Sequence, residues 1–349
     1  MPVDLSLVEG EYFQDLLSQP RALGDTLKQL ADSRELQALT SRVQKRKFKS
    51  VVLTGMGSSF HGLNPLFLQL TDAGYPAVLV ETSELIHYCR QLLSRDSLLV
   101  AVSQSGRSAE MIRLLNENRR RAPIIAITNT ADSPLAHASD AVLLTRAGEE
   151  YSVSCKTYVS ALLALKFLGD RLCAVPHART RKELQAVLGP VTSYLAHWKD
   201  HVESILPSLS GICQIFLAGR GPSLAAVGTG ALILKESTQF PSEGLSSAAF
   251  RHGPFEMVGP ETFVLVFAGE PRTRKLNKSL VEDIRANGGR AEMVSQEPRA
   301  CAYSLPKVPS ALLPVLEILP VQILTLAVAA MKGRQPGKFR LASKITTTE

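Results

Sequence analysis

Leu98-Leu99-Val100-Ala101-Val102-Ser103-Gln104-Ser105-Gly106-Arg107-Ser108 is an apolar, β-type run that passes directly into a hydroxyl-rich turn, and a helical pattern opens at Ala109. Strand, short turn and helix in that order mark an α/β unit with a parallel sheet. The turn gathers three hydroxyls (Ser103, Ser105, Ser108), the Gln104 amide and the unpaired N–H groups of a helix's first turn. Such a set suits an anionic oxygen cluster such as a phosphate monoester. One serine would suffice to cap the helix, so the surplus of hydroxyls asks for a further partner.

The same alternation continues on both sides. Strands are expected at 76–81, 97–103, 123–128 and 141–145, with helices over 107–120 and 154–174. Upstream, the run from Lys49 ends in Gly55-Met56-Gly57-Ser58-Ser59. Downstream, the run from Ile212 ends in Gly219-Arg220-Gly221-Pro222-Ser223. Each is a β-rich stretch closed by Gly-x-Gly and followed by a long helical pattern, so the chain reads as two copies of one α/β unit. The second half is expected as helix 224–239, strand 262–268, helix 273–287, strand 290–295 and helix 310–332. The expected division is an N-terminal helical segment 1–44, a first α/β domain 45–176, a connecting segment 177–206 whose helix begins near 179, a second α/β domain 207–335 and a tail 336–349. Doubly wound sheets bind ligands at the carboxyl ends of their strands. Gly57-Ser58-Ser59 and Ser103-Gln104-Ser105 both fall at such ends in one half.

The chain has 349 residues, room for two domains and a buried core. With 45% hydrophobic and 20% charged residues it is globular in composition, not disordered. The net charge of +7 at pH 7 would attract anions in general. Its basic clusters, Arg42–Lys49, Arg119–Arg121 and Arg272–Lys278, are scattered and lack interleaved aromatics, which argues for solvated helix faces and against nucleic acid. Cys89, Cys155, Cys173, Cys213 and Cys301 form no CxxC pair and are expected as free thiols of a reducing cytosol. Met1-Pro2-Val3-Asp4 lacks the basic and apolar run of a secretory leader. Ala311–Met331 is interrupted by Pro314, Glu317 and Pro320, and is expected as a buried core helix, not a membrane span. The expectation is a cytoplasmic protein with neither membrane nor nucleic acid as partner.

Gly55-x-Gly57 alone is weak evidence of a nucleotide fold, and Phe60 stands where a dinucleotide fingerprint needs a small residue. With no lysine in the loop, a P-loop is absent as well. Glu236 lies in the apolar helix Ala231-Leu232-Ile233-Leu234-Lys235-Glu236; a carboxylate desolvated on such a helix is tuned toward general-base work. The competing reading is an exposed Lys235-Glu236 pair. His252, in Phe250-Arg251-His252-Gly253-Pro254-Phe255, sits in a Gly/Pro-punctuated loop that can present a side chain for chemistry. His61, His87, His137, His177, His197 and His201 have no comparable setting.

Six motifs then occur in one order: Gly57-Ser58-Ser59, Ser103 to Ser108, Arg146-Ala147-Gly148-Glu149-Glu150, Ala231 to Glu236, Arg251-His252-Gly253-Pro254 and Leu341-Ala342-Ser343-Lys344. From about residue 45 onward the chain resembles the tandem sugar isomerase (SIS) domain proteins. It is similar to the isomerase half of glucosamine-6-phosphate synthases and to the stand-alone SIS-type glucosamine-6-phosphate deaminases. The resemblance implies two three-layer, flavodoxin-like SIS domains related by internal duplication. It further implies a metal-free, cofactor-free enzyme acting on a hexose or hexosamine phosphate. Ser59, Ser103, Gln104, Ser105 and Ser108 match the family's sugar-phosphate loop, Glu236 the carboxylate that moves a proton between C1 and C2, and His252 the ring-opening histidine that reaches the partner's site in a homodimer. Lys344 matches a tail lysine near the open-chain carbonyl. Around Ser152–Thr157 the chain is one residue shorter than the synthase pattern, and anchoring on Lys156 makes Ser154 the sugar-contacting serine.

Two further departures are visible. The sequence shows neither a glutaminase domain nor a cysteine after Met1, and Ile233 replaces a lysine of the synthase helix. The implied reaction is isomerisation or deamination of an amino-sugar phosphate. A fructosamine-6-phosphate deglycase and a non-catalytic sugar-phosphate sensor are the alternatives. The segment Ser246–Phe250 is closer to the deaminases than to the deglycases, and a sensor would need only the phosphate loop.

Overall fold

The computed structural model describes residues 4–298, 301–341 and 343–346. The expectations touching Met1, Pro2, Val3, Ala342 and residues 347–349 lie outside them. Its contacts divide the chain into two compact units. One holds the chain through Pro20, Tyr151–Cys155 and Ala186–Arg340; the other holds Arg21–Glu150, Lys156–Gln185 and the residues from Leu341 on.

The second of these units is built on the first sheet. Its strands β1 (Ser50–Gly55), β2 (Ala77–Glu81), β3 (Ser97–Val102), β4 (Ile124–Thr128) and β5 (Ala141–Leu144) lie in the order β2-β1-β3-β4-β5, all parallel. β3 is buried along its whole length, as expected for a central parallel strand covered on both faces. Helix α1 (Ala109–Asn118) sends Met111 and Leu114 against Leu99, Ala101, Ile124 and Ala126. Helix α2 (Lys156–Leu172) belongs to the same unit. The strand order reverses between β1 and β3, where such sheets open a crevice at their carboxyl edge. The two strand ends approach closely there: a Cβ on Gly55 would press on the Val102 carbonyl oxygen at 3.0 Å.

The other unit holds β6 (Gln214–Gly219), β7 (Ser242–Ser246), β8 (Thr262–Phe267) and β9 (Arg290–Val294), parallel in the order β7-β6-β8-β9. This is the order of the first sheet without its fifth strand. Around it lie α3 (Leu224–Thr238), α4 (Pro271–Ala286) and α5 (Leu313–Met331). Leu280, Val281 and Ile284 of α4 pack on Phe216, Val264, Val266 and Met293. Within Ser310–Met331 every residue from Leu312 to Ala330 is buried, so this apolar stretch is a core helix.

Two sequence expectations need correction. The connecting helix over 179–206 is three helices, His177–Gln185, Leu188–Ala196 and Trp198–Ile205. Pro190 has no N–H to give the carbonyl four residues back and cannot continue the first of them. The strand β7 was not expected, because Ser-Glu-Gly-Leu-Ser has neither an apolar run nor a clean alternation. Its place is set by packing: a Cβ on Gly244 would lie 2.5 Å from the Val227 carbonyl oxygen of α3.

Candidate active site

At the end of β3 the chain turns through Ser103–Ser108 into α1, and the serines are not spent as helix caps. Ser103 Oγ accepts the Gly106 N–H at 3.1 Å and Ser105 Oγ accepts the Arg107 N–H at 3.2 Å, which folds the turn on itself. Both hydroxyl hydrogens stay available as donors. Ser108 occupies the N-cap position of α1, yet its side chain makes no capping bond. Gly106 has φ of +61°, and a Cβ there would lie 2.5 Å from Ser133 Oγ, so glycine is required on both counts. The Gln104 carbonyl accepts the Asn129 N–H at 3.0 Å and the hydroxyls of Thr128 and Thr130, which ties the turn to the end of β4. Ser59 lies half-buried in the short helix Ser58–Gly62 that follows β1.

Beside this turn is a cavity of about 610 Å³, lined by Gln104, Asn129, Thr130, Arg146, Glu150 and Lys344 among others. Its wall after β5 is a turn with two left-handed residues, Arg146 (φ +47°) and Gly148 (φ +76°). Asn129 holds that turn: its Oδ1 accepts the Ala147 N–H at 2.7 Å and the Thr145 hydroxyl at 3.0 Å, and its Nδ2 donates to the Gly148 carbonyl at 2.8 Å. A non-glycine residue in the left-handed region costs conformational energy and persists where its surroundings fix it. Here the fixed residue is an arginine at the cavity wall. Lys344 Nζ donates to Glu150 Oε2 at 2.9 Å. The cavity therefore brings together the sequence-derived residues Gln104 and Lys344. Ser59, Ser103, Ser105 and Ser108 belong to the same unit but are not among its lining.

Sequence reasoning assigned no role to Asn129, Thr130 or Glu150. Asn129 and Thr130 could have been found from their position, because they directly follow β4 at the ligand-binding edge. Glu150 ends the run Arg146-Ala147-Gly148-Glu149-Glu150, but its partner is 194 residues away.

Ser154, Glu236 and His252 belong to the other unit. Glu236 is half-buried in the last turn of α3, while Lys235 is exposed beside it. His252 is exposed at the end of the short helix Ser247–Arg251, ahead of Gly253 with φ of +136°. At the carboxyl edge of the second sheet, the turn after β8 is Ala268-Gly269-Glu270-Pro271, without the hydroxyl set. There Ser223 Oγ donates to Glu317 Oε1 at 2.8 Å. Glu317 is 1% exposed and its Oε2 finds no hydrogen-bond partner among the described residues. Burial pushes its carboxyl up to about 7; the Ser223 hydroxyl opposes the rise and Glu270 adds to it.

The sheets and the hydroxyl-lined turn define a doubly wound α/β protein whose first sheet carries a hydroxyl-rich turn at its carboxyl edge. More particularly, the chain belongs to the SIS domain family, whose model matches residues 46–170 and 208–299. Over 347 residues it is 28% identical to the glutamine--fructose-6-phosphate aminotransferase [isomerizing] of Pyrococcus horikoshii, an alignment covering 96% of this chain and 57% of that protein. The chain thus spans little more than half the length of the curated relatives it matches. Among solved structures it is similar to the C-terminal domain of glucosamine-fructose-6-phosphate aminotransferase from Francisella tularensis, with TM-score 0.82, 22% identity, and 95% and 98% of the two chains covered. It is also similar to glucosamine-6-phosphate deaminase from Thermotoga maritima, with TM-score 0.77, 20% identity, and 97% and 100% covered. At these identities the structural likeness speaks for the fold.

Proposed function

We propose that the chain is a sugar-phosphate aldose-ketose isomerase/deaminase acting on a hexosamine 6-phosphate such as glucosamine 6-phosphate. The observation that carries this reading is the cavity at the edge of the first sheet, where Gln104 of the hydroxyl-rich turn and the amine of Lys344 share one lining. A ligand with a phosphate at one end and a reacting carbonyl at the other has a use for both. In this reading the turn's hydroxyls hold the phosphate, far from the bonds that change, so that binding energy serves orientation. His252 assists ring opening. Glu236 takes the C2 proton to give an enolamine and returns a proton to C1, leaving a ketose imine at C2. Water adds to that imine, and fructose 6-phosphate and ammonia leave. Ile233, fully buried in α3, stands where the synthases have a lysine, so the amino-sugar reaction here need not be theirs.

The test is to incubate the purified chain with glucosamine 6-phosphate and follow fructose 6-phosphate and ammonia together. Equal release of both is expected. Glu236→Gln should slow it by about 10²–10⁴-fold, the range for loss of a general base. Release confined to fructosamine 6-phosphates would replace the substrate with that of a deglycase. Thermal stabilisation by sugar phosphates without any release would make the chain a sensor.

A further inference from the structure

We infer that Glu150 is a positioning residue that sets the place of the Lys344 amine in the cavity. This rests on the proposed reaction for its kinetic test but not for its structural one. The Glu150 side chain is 1% exposed, and a carboxylate so placed is tolerated only when its oxygens are satisfied. Thr157 supplies two bonds, its backbone N–H to Oε1 at 3.0 Å and its hydroxyl to Oε2 at 2.7 Å. Thr157 is the second residue of α2, so that N–H is one of the donors a helix leaves unpaired in its first turn. The helix end also favours a negative charge there.

The carboxylate is thus anchored to the backbone of a helix, and Lys344 Nζ comes to it at 2.9 Å as a further donor. A lysine amine on four rotatable bonds takes its position from whatever holds it. Here a fixed, buried anion does so. The tail has a second fastening two residues on: the Thr346 carbonyl accepts the N–H of Ala109 at 3.1 Å. Ala109 is the first residue of α1, directly after the hydroxyl-rich turn. Glu150 therefore fixes the tail's amine at a set distance from the turn that would hold the phosphate. Thr157 takes part through Glu150 and would touch no substrate.

The first measurement needs no substrate: acetic anhydride labelling of the full chain, read by peptide mass spectrometry at Lys344 with the exposed Lys28 as internal reference. Glu150→Gln should change the Lys344 labelling rate several-fold and leave Lys28 unaltered; an unchanged Lys344 rate overturns the inference. The second measurement is turnover of glucosamine 6-phosphate. Glu150→Gln should lower kcat by about a hundredfold, the scale for a reacting group displaced by an ångström, with KM little changed. Combined with Lys344→Met, it should add nothing to the loss caused by Lys344→Met alone; multiplied losses would show a structural role and overturn the inference. If Glu150→Gln does not fold, Thr157→Val, which removes only the hydroxyl donor, is read in the same assays with the same expected directions. Absence of turnover in the unaltered chain removes the proposed reaction, and the labelling result then decides this inference alone.

Discussion

Glu317 is a buried carboxyl with one hydroxyl for company, and its protonation is linked to folding. Its folded value of about 7 lies above the ordinary 4.5. Between those values the folded chain keeps a proton that the unfolded chain has released. Stability should therefore decline as pH rises through that window and level off above it, by about 3 kcal/mol in all. Glu317→Gln keeps the shape and removes the charge, so urea unfolding at pH 5 and pH 8 should show a smaller loss across that interval in the variant. An equal loss in both proteins would mean that Glu317 is not the group responsible. At this scale the sequence disclosed residue types better than pairings. Gln104, which lines the cavity, was legible as part of a turn because a strand ends directly before it, whereas the bond from Lys344 to Glu150 joins residues 194 positions apart and has no local signature.

Elements with a strong period or an uninterrupted apolar run were found near their observed limits. β3, β8 and α5 are examples, because burial on both faces leaves a continuous hydrophobic record. β7 left none, since it is held by Gly244 seated against the Val227 carbonyl and by the Ser242 hydroxyl donating to the Ala231 carbonyl of α3. Close packing between elements makes a prediction of its own at Gly230 in α3. A Cβ there would lie 2.8 Å from Val321 Cγ1 of α5 and 2.9 Å from Leu217 Cδ2 of β6. Alanine would improve helix propensity, but it would wedge two buried branched side chains at once. The steric cost should win, with a net loss of about 1–2 kcal/mol. Thermal denaturation of Gly230→Ala reads this directly, and a midpoint equal to or above that of the parent chain would refute it.

At the scale of the whole molecule, the proposed reaction needs Glu236 and His252 to act together, and the resemblance to the SIS proteins implies that His252 serves the partner's site in a homodimer. Glu236→Gln and His252→Ala chains, each inactive alone, should then regain activity when unfolded together and refolded as a mixture. Random pairing makes half of the dimers mixed, each with one intact site, so recovery should reach about a quarter of the parent rate. No recovery would place His252 in its own chain's site. The alternation of strands and helices made the two sheets legible in the sequence, but the limits of the compact units were not. Tyr151–Cys155 belongs to one unit while the residues on both sides of it belong to the other, and the residues from Leu341 on return to the unit of the first sheet. The molecule is laced rather than strung, so no single backbone cut releases a whole unit. A fragment ending at Gln185 would carry the first sheet and the hydroxyl-rich turn yet lack Lys344, and any attempt to minimise this protein by truncation would have to graft the tail back.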